Sequence, residues 1–134
     1  MINNQTSKLL EVFISMSSEK DGNILLEKML NSAIDITNCD AGTLYILNED
    51  KLEFKFIVTR SLQLQSGGAH SKITLPPVKL EKSNVCAYSV LSKTIVNIED
   101  AYSSDLFDFS GPKKYDKLTN YRTKSMIVIP MEDD

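Results

Sequence analysis

The chain has 134 residues, enough for one ordinary domain, and its 42% hydrophobic and 25% charged residues are a globular composition, not a disordered one. A formal charge of −3 excludes a whole-surface attraction to nucleic acid or to acidic membranes, so neither is expected as a partner. No apolar run approaches the roughly 20 residues of a membrane helix, and residues 1–5 lack the basic-then-apolar layout of a secretory signal. Two cysteines, Cys39 and Cys86, fit neither a disulfide framework nor a C-x-x-C pair, so a reducing, cytoplasmic compartment is expected.

In chain order, residues 1–21 read as a helical leader. Within it, Leu9, Leu10, Phe13 and Met16 recur near helical spacing, Val12 and Ile14 widen the stripe, and 17–22 interrupt it. A helix that short cannot bury so broad a stripe alone, so it is expected either to pack against its own sheet or to pack with Leu26, Met29, Leu30 and Ala33 and with a second subunit, which would make a homodimer. A second helix is predicted over 23–36, where Leu26, Met29, Leu30, Ala33 and Ile34 share one face. Asp21 or Asn23 supplies its cap, and 38–42 ends it.

From Thr43 the period changes to that of strands. Residues 43–47 are nearly all apolar, which predicts cover on both faces; 48–51 form a turn. Residues 52–58 alternate, predicting Leu52, Phe54, Phe56 and Val58 on one face. The stretch 61–72, with Gly67-Gly68, reads as a mobile loop, and 73–75 as a short strand stopped by Pro76-Pro77. Asn84 caps a predicted helix over 85–92, and 94–98 reads as a strand. Residues 99–109 read as a turn with one short helix, 111–124 as a basic loop, and 125–131 as the last strand. The fold class is α+β, around a mainly antiparallel sheet.

The last strand is apolar at successive positions, which predicts cover on both faces and neighbours on both edges. Glu132-Asp133-Asp134 reads as the start of a hairpin turn. The expectation is a domain over 22–134 lacking its final strand, or one whose missing strand a neighbouring molecule supplies.

The runs 84–91 and 94–102, then Phe107-Asp108-Phe109, then Tyr115 to Met126 and the apolar strand ending Pro130-Met131, resemble a GAF domain. The resemblance is closest to the GAF domains of cyclic-nucleotide phosphodiesterases, cyclase regulators and bacterial HD-GYP-type phosphohydrolases. Asn120 stands where that family usually has glycine, and asparagine tolerates the left-handed backbone such a turn needs. The resemblance implies two N-terminal helices on one face of a central sheet, and short helices and loops covering a small-molecule pocket on the other. It implies a final strand and helix after residue 134, and a regulatory sensor that passes a signal through dimer helices. A cyclic nucleotide is the ligand such relatives suggest. Two alternatives stay open: a ligand-free GAF module that only dimerises, and the sensor fragment of a nucleotide phosphodiesterase or cyclase whose catalytic domain lies elsewhere.

No catalytic residue is expected in this chain. His70 is its one histidine and has no motif around it. Cys39, Cys86 and His70 lack metal-ligand spacing, and Cys86 is followed by Ala87 where bilin-binding relatives carry histidine, so no metal, haem or bilin is expected. Gly67-Gly68 is neither a P-loop nor a dinucleotide fingerprint. For a ligand, the amides of Val85, Cys86 and Ala87 beyond Asn84 offer an anion site at a helix N-terminus. Tyr45, Tyr102, Phe107, Phe109 and Tyr115 either stack on a purine or fill the core. Asp100, beside Ala101, either accepts from a base edge or closes its turn; Thr119 either donates to a ligand or braces its own turn. Lys113, Lys114, Lys117, Arg122 and Lys124 form either a solvated surface or a lid that attracts an anion.

Overall fold

The carboxylate of Asp21 accepts hydrogen bonds from the amides of Asn23 (2.9 Å) and Ile24 (3.2 Å), and this cap opens helix α1, Gly22–Thr37. The computed structural model describes residues 14, 18–68 and 73–132. It divides into two units, Met1–Pro77 and Val78–Asp134, each with its own apolar cluster. Ile14 and Ser18 are helical, whereas Leu9, Leu10, Val12, Phe13 and Met16, and with them the expected dimer stripe, lie outside the described residues. Among the described residues no helix is long and apolar enough to cross a membrane.

In the first unit α1 ends at Asn38, whose left-handed backbone (φ 56°) returns its N–H to the carbonyl of Ile34. Strands β1 (Ala41–Asn48), β2 (Lys51–Thr59) and β3 (Leu64–Gly67) pair antiparallel in that order. The expected loop over 61–72 therefore contains a strand, and β1 begins two residues before Thr43. Residues 73–75 form no strand.

The register of β1 on β2 shifts between Leu44 and Tyr45. Leu44 faces Phe56, but Tyr45 faces Phe54, which leaves Lys55 as the extra residue of a β-bulge. Side-chain alternation slips by one at that point. Phe56 and Val58 share a face with Leu44 and pack with Ile34, Leu26 and Leu30 of α1. Leu52 and Phe54 pair instead with Leu47 and Tyr45 on the opposite face. This corrects the single apolar face expected for 52–58: the bulge divides it. The two-sided cover expected for 43–47 is also absent among the described residues: Leu44 is buried against α1, while Ile46 and Leu47 are exposed.

Glycine allows the close approach of helix to sheet. A Cβ on Gly42 would lie 2.8 Å from Leu30 Cδ1 and 3.0 Å from Ile34 Cδ1. Gly67 has a φ of +88°, and a Cβ there would strike the carbonyl oxygen of the bulge residue Lys55.

The second unit runs through β4 (Val78–Lys79), α2 (Val85–Ser92), β5 (Val96–Ile98), α3 (Ser110–Thr119) and β6 (Met126–Val128). β5 and β6 pair antiparallel, with Val96 opposite Val128 and Ile98 opposite Met126. These four pack with Val85, Ala101 and Phe109 as the unit's core. Fully buried Ser89 is satisfied, donating its hydroxyl to the Thr94 carbonyl at 2.7 Å.

Three expectations are corrected here. The short helix placed in 99–109 is absent, and a helix instead occupies most of the expected basic loop. Gly111 and Pro112 suggest a loop, yet both sit in the first turn of α3, where a proline's missing N–H costs nothing. Lastly, β6 is not covered on both faces: Met126 and Val128 enter the core, while Ile127 and Ile129 are 52% and 56% exposed.

Candidate functional site

Helix α3 ends at Asn120 with φ 58°, the left-handed backbone expected of that residue. The Asn120 N–H bonds the Asp116 carbonyl, and the Tyr121 amide reaches the same oxygen at 2.9 Å. The chain thereby doubles back, bringing 121–124 alongside the end of the helix. Asp116 itself is 2% exposed. Its carboxylate accepts the Tyr102 hydroxyl (2.7 Å), the Thr123 amide (2.8 Å) and the Thr123 hydroxyl (2.8 Å). A carboxylate can be buried this deeply because its lone pairs are engaged.

Arg122 lies over the Tyr102 ring, 3.7 Å from the centroid, and donates to both oxygens of Asp100 at 2.9 and 3.1 Å. Asp100 also accepts the Tyr102 amide at 3.0 Å, while the Ala101 amide bonds the Lys124 carbonyl at 2.7 Å. Lys113 of α3 stands 5.4 Å from the same ring. Tyr102 is thus held through its hydroxyl, its face and its backbone. Hydrogen bonds from Arg122, and secondarily from the Tyr102 amide, hold the Asp100 carboxyl below its ordinary range. The bond to Asp116, with burial second, pushes the Tyr102 phenol above its ordinary value. Asp108 is lowered by the hydrogen bonds of Ser110 at the start of α3.

A cavity of about 470 Å³ opens beside this network. Asn97, Glu99, Asp100, Ser103, Ser104 and Lys124 supply its polar lining, and Ile98 and Leu106 its apolar part. The first unit has a cavity of about 430 Å³ at the bulge, bordered by Phe54, Lys55, Gly67 and Gly68.

Of the residues singled out in the sequence, Asp100 and Tyr102 meet in the network, and Asp100 also borders the cavity beside it. Asp100 closes its turn and pairs with Arg122, and Thr119 braces its own helix by donating to the Tyr115 carbonyl at 2.9 Å. The amides of Cys86 and Ala87 are not free for an anion: both donate to the Asn84 side chain, at 2.9 and 3.1 Å. Val85, Ala87, Ala101 and Phe109 are buried. Cys86 packs against that core. Phe107 meets Tyr88 edge-on at 5.2 Å and Phe109 at 6.2 Å. Tyr115 is half-buried on α3. Tyr45 lies in the first unit against Phe54, ring centroids 4.7 Å apart. His70 is outside the described residues.

Sequence reasoning missed Asp116, which it treated as a lone acid among lysines. The available signal was Asn120: a helix ending there places Asp116 one turn back, facing the returning chain.

No family model matches the chain. Its structure is similar to the crystal structure of the GAF domain from Acinetobacter phosphoenolpyruvate-protein phosphotransferase, with a TM-score of 0.62 at 16% identity, over 100% of this chain and 83% of that one. The fold is GAF-like. At that identity the likeness speaks for the fold, and the ligand must be argued from the residues.

Proposed function

We propose that this chain is a regulatory, GAF-type sensor that binds a small molecule in the cavity beside Asp100 and transmits the event to helix α3. One observation carries this reading, the continuity of the network. Asp100 borders the cavity and grips Arg122, Arg122 covers Tyr102, and Tyr102 is bonded to Asp116 of α3. A ligand that draws Arg122 away from Asp100 therefore alters the tether of α3. Such a difference in contacts between two arrangements is what ligand-driven switching requires.

An anion is the chemistry that competes with Asp100 for Arg122. Lys124 at the cavity and Lys113 over Tyr102 add positive charge, set against the Glu99 and Asp100 carboxylates of the cavity wall. A cyclic nucleotide joins one negative charge to a planar base suited to aromatic or guanidinium stacking, and it is the ligand we propose. In this reading the chain binds and does not catalyse.

Calorimetric titration with cyclic AMP and cyclic GMP tests it. One of the two should give saturable heat and raise the melting temperature, and Arg122→Ala should remove both effects. Neither heat nor stabilisation with either nucleotide would overturn the ligand assignment. Turnover of a generic phosphodiester by the purified chain would overturn the non-catalytic one.

A further inference from the structure

Helix α3 carries charges that work against one another. Asp116 is buried and Tyr115 and Thr119 are half-buried, so the opposite side, with Lys113, Lys114, Lys117 and Leu118, faces water. The one carboxylate of the helix is thereby withdrawn from the lysines and engaged by Tyr102 and Thr123. Lys113 and Lys117 stand at i, i+4 and Lys114 and Lys117 at i, i+3, spacings at which like charges repel. Lys117 suits the last turn of a helix. The first turn, however, holds no acid, and Lys113 closes it, where a cation opposes the macrodipole. Among the described residues Lys114 and Lys117 form no ion pair.

Gly111 points the same way. Its φ is not positive, and a Cβ there would meet nothing within 4 Å. Neither backbone geometry nor internal packing therefore accounts for a residue that weakens the helix. Gly111, Lys114 and Leu118 lie at i, i+3 and i+7, a line along the exposed side, and Leu118 is 76% exposed. Such a line, from a position without a side chain past a cation to an apolar residue, lets another chain come close.

Charge indicates the occupant. The whole chain is at −3, so this face is a local exception and favours an anionic partner. Three lysines offer few phosphate contacts to a nucleic acid, and one exposed leucine gives little to insert into a bilayer. Carboxylates on a peptide answer the lysines, and a single apolar side chain beside them covers Leu118.

We propose that the outer face of α3 docks an acidic peptide segment of a partner protein, with its carboxylates on Lys114 and Lys117 and an apolar anchor against Leu118 and Gly111. This surface is separate from the cavity beside Asp100, so it stands whether or not a nucleotide binds there. It gives α3, to which the sensor reading delivers the signal, a face through which to pass it on.

Fluorescence anisotropy at physiological ionic strength tests the proposal, using the full chain and a labelled synthetic peptide of glutamates around one leucine. The parent should bind the peptide saturably. Lys114→Glu and Lys117→Glu should each weaken binding about tenfold, and Leu118→Ser and Gly111→Ala should weaken it as well. Lys114→Glu replaces a repelled cation with a carboxylate, so it should melt no lower than the parent, and its titration with cyclic nucleotides should match the parent's. Loss of the peptide is then loss neither of the fold nor of the ligand site. The double variant Lys114→Glu/Lys117→Glu should instead bind a peptide with lysines in place of the glutamates, which the parent should not bind. A parent without saturable binding overturns the proposal. So does equal binding by the parent and Lys114→Glu, or tighter binding of phosphatidylserine vesicles or duplex DNA than of the peptide.

Discussion

Tyr102 shows how one side chain is held by three different interactions, and its ionisation reports one of them. Its hydroxyl donates to buried Asp116, and that bond raises its pKa above the ordinary value near 10. A group whose folded pKa is raised contributes stability that is complete below the unfolded pKa and lost as pH rises through the folded one. Tyr102 should therefore ionise above the ordinary tyrosine range in an ultraviolet absorbance titration, and Tyr102→Phe should delete that high-pH step. Asn84 offers a simpler test at the same scale. Its carboxamide satisfies two amides of α2, so Asn84→Ala should cost about 1 kcal/mol in denaturant unfolding, while Asn84→Asp, which also caps, should cost much less.

At the scale of elements, the bulge in β2 and the end of α3 do the most to arrange the chain. The bulge at Lys55 works only beside a residue without a side chain. The Gly68 amide bonds the Lys55 carbonyl at 2.7 Å, while Gly67 holds a left-handed φ against that same carbonyl. Gly67→Ala should destabilise by about 1–3 kcal/mol from backbone strain, with the clash adding to it, and chemical denaturation would measure the loss. For α3, the three hydrogen bonds to Asp116 join the helix to Tyr102 and Thr123. Asp116→Ala leaves three donors without their acceptor and should cost about 3 kcal/mol. Hydrogen exchange should then speed up in 110–124 well before it does in β2. Uniform acceleration along the chain would contradict a local role.

For the whole molecule, stability rests on two modest clusters, one in each unit. Phe56 is fully buried at the centre of the first. Phe56→Ala should cost about 3–5 kcal/mol, a large part of the roughly 5–15 kcal/mol that holds a domain of ordinary size together, so the variant should melt far below the parent. The GAF-like fold places no demand on which ligand is bound, since one fold hosts many sites. In the proposed reading, the response would depend on the few polar groups around Asp100, which pairs with Arg122, and Arg122 in turn covers Tyr102, bonded to Asp116 of α3.

Local periodicity and local chemistry gave α1, α2, the cap at Asn84 and the antiparallel β1–β2 hairpin, left the first cap between Asp21 and Asn23, and only the family resemblance pointed to the left-handed turn at Asn120. Each of these depends on residues only a few positions apart, so the chain carries the signal within itself. The α+β class followed from the order of those elements. Everything that required distant residues to meet was hidden. The extra residue at Lys55 shows only when β2 is laid beside β1, and β3 only when Gly67 is laid beside Phe56. Which isoleucines of the last strand face water depends on what lies on either side of them. The partners of Asp116 are fourteen residues before it and seven after, and no local pattern carries a contact of that kind; only packing brings a carboxylate, a phenol and a threonine to one buried point.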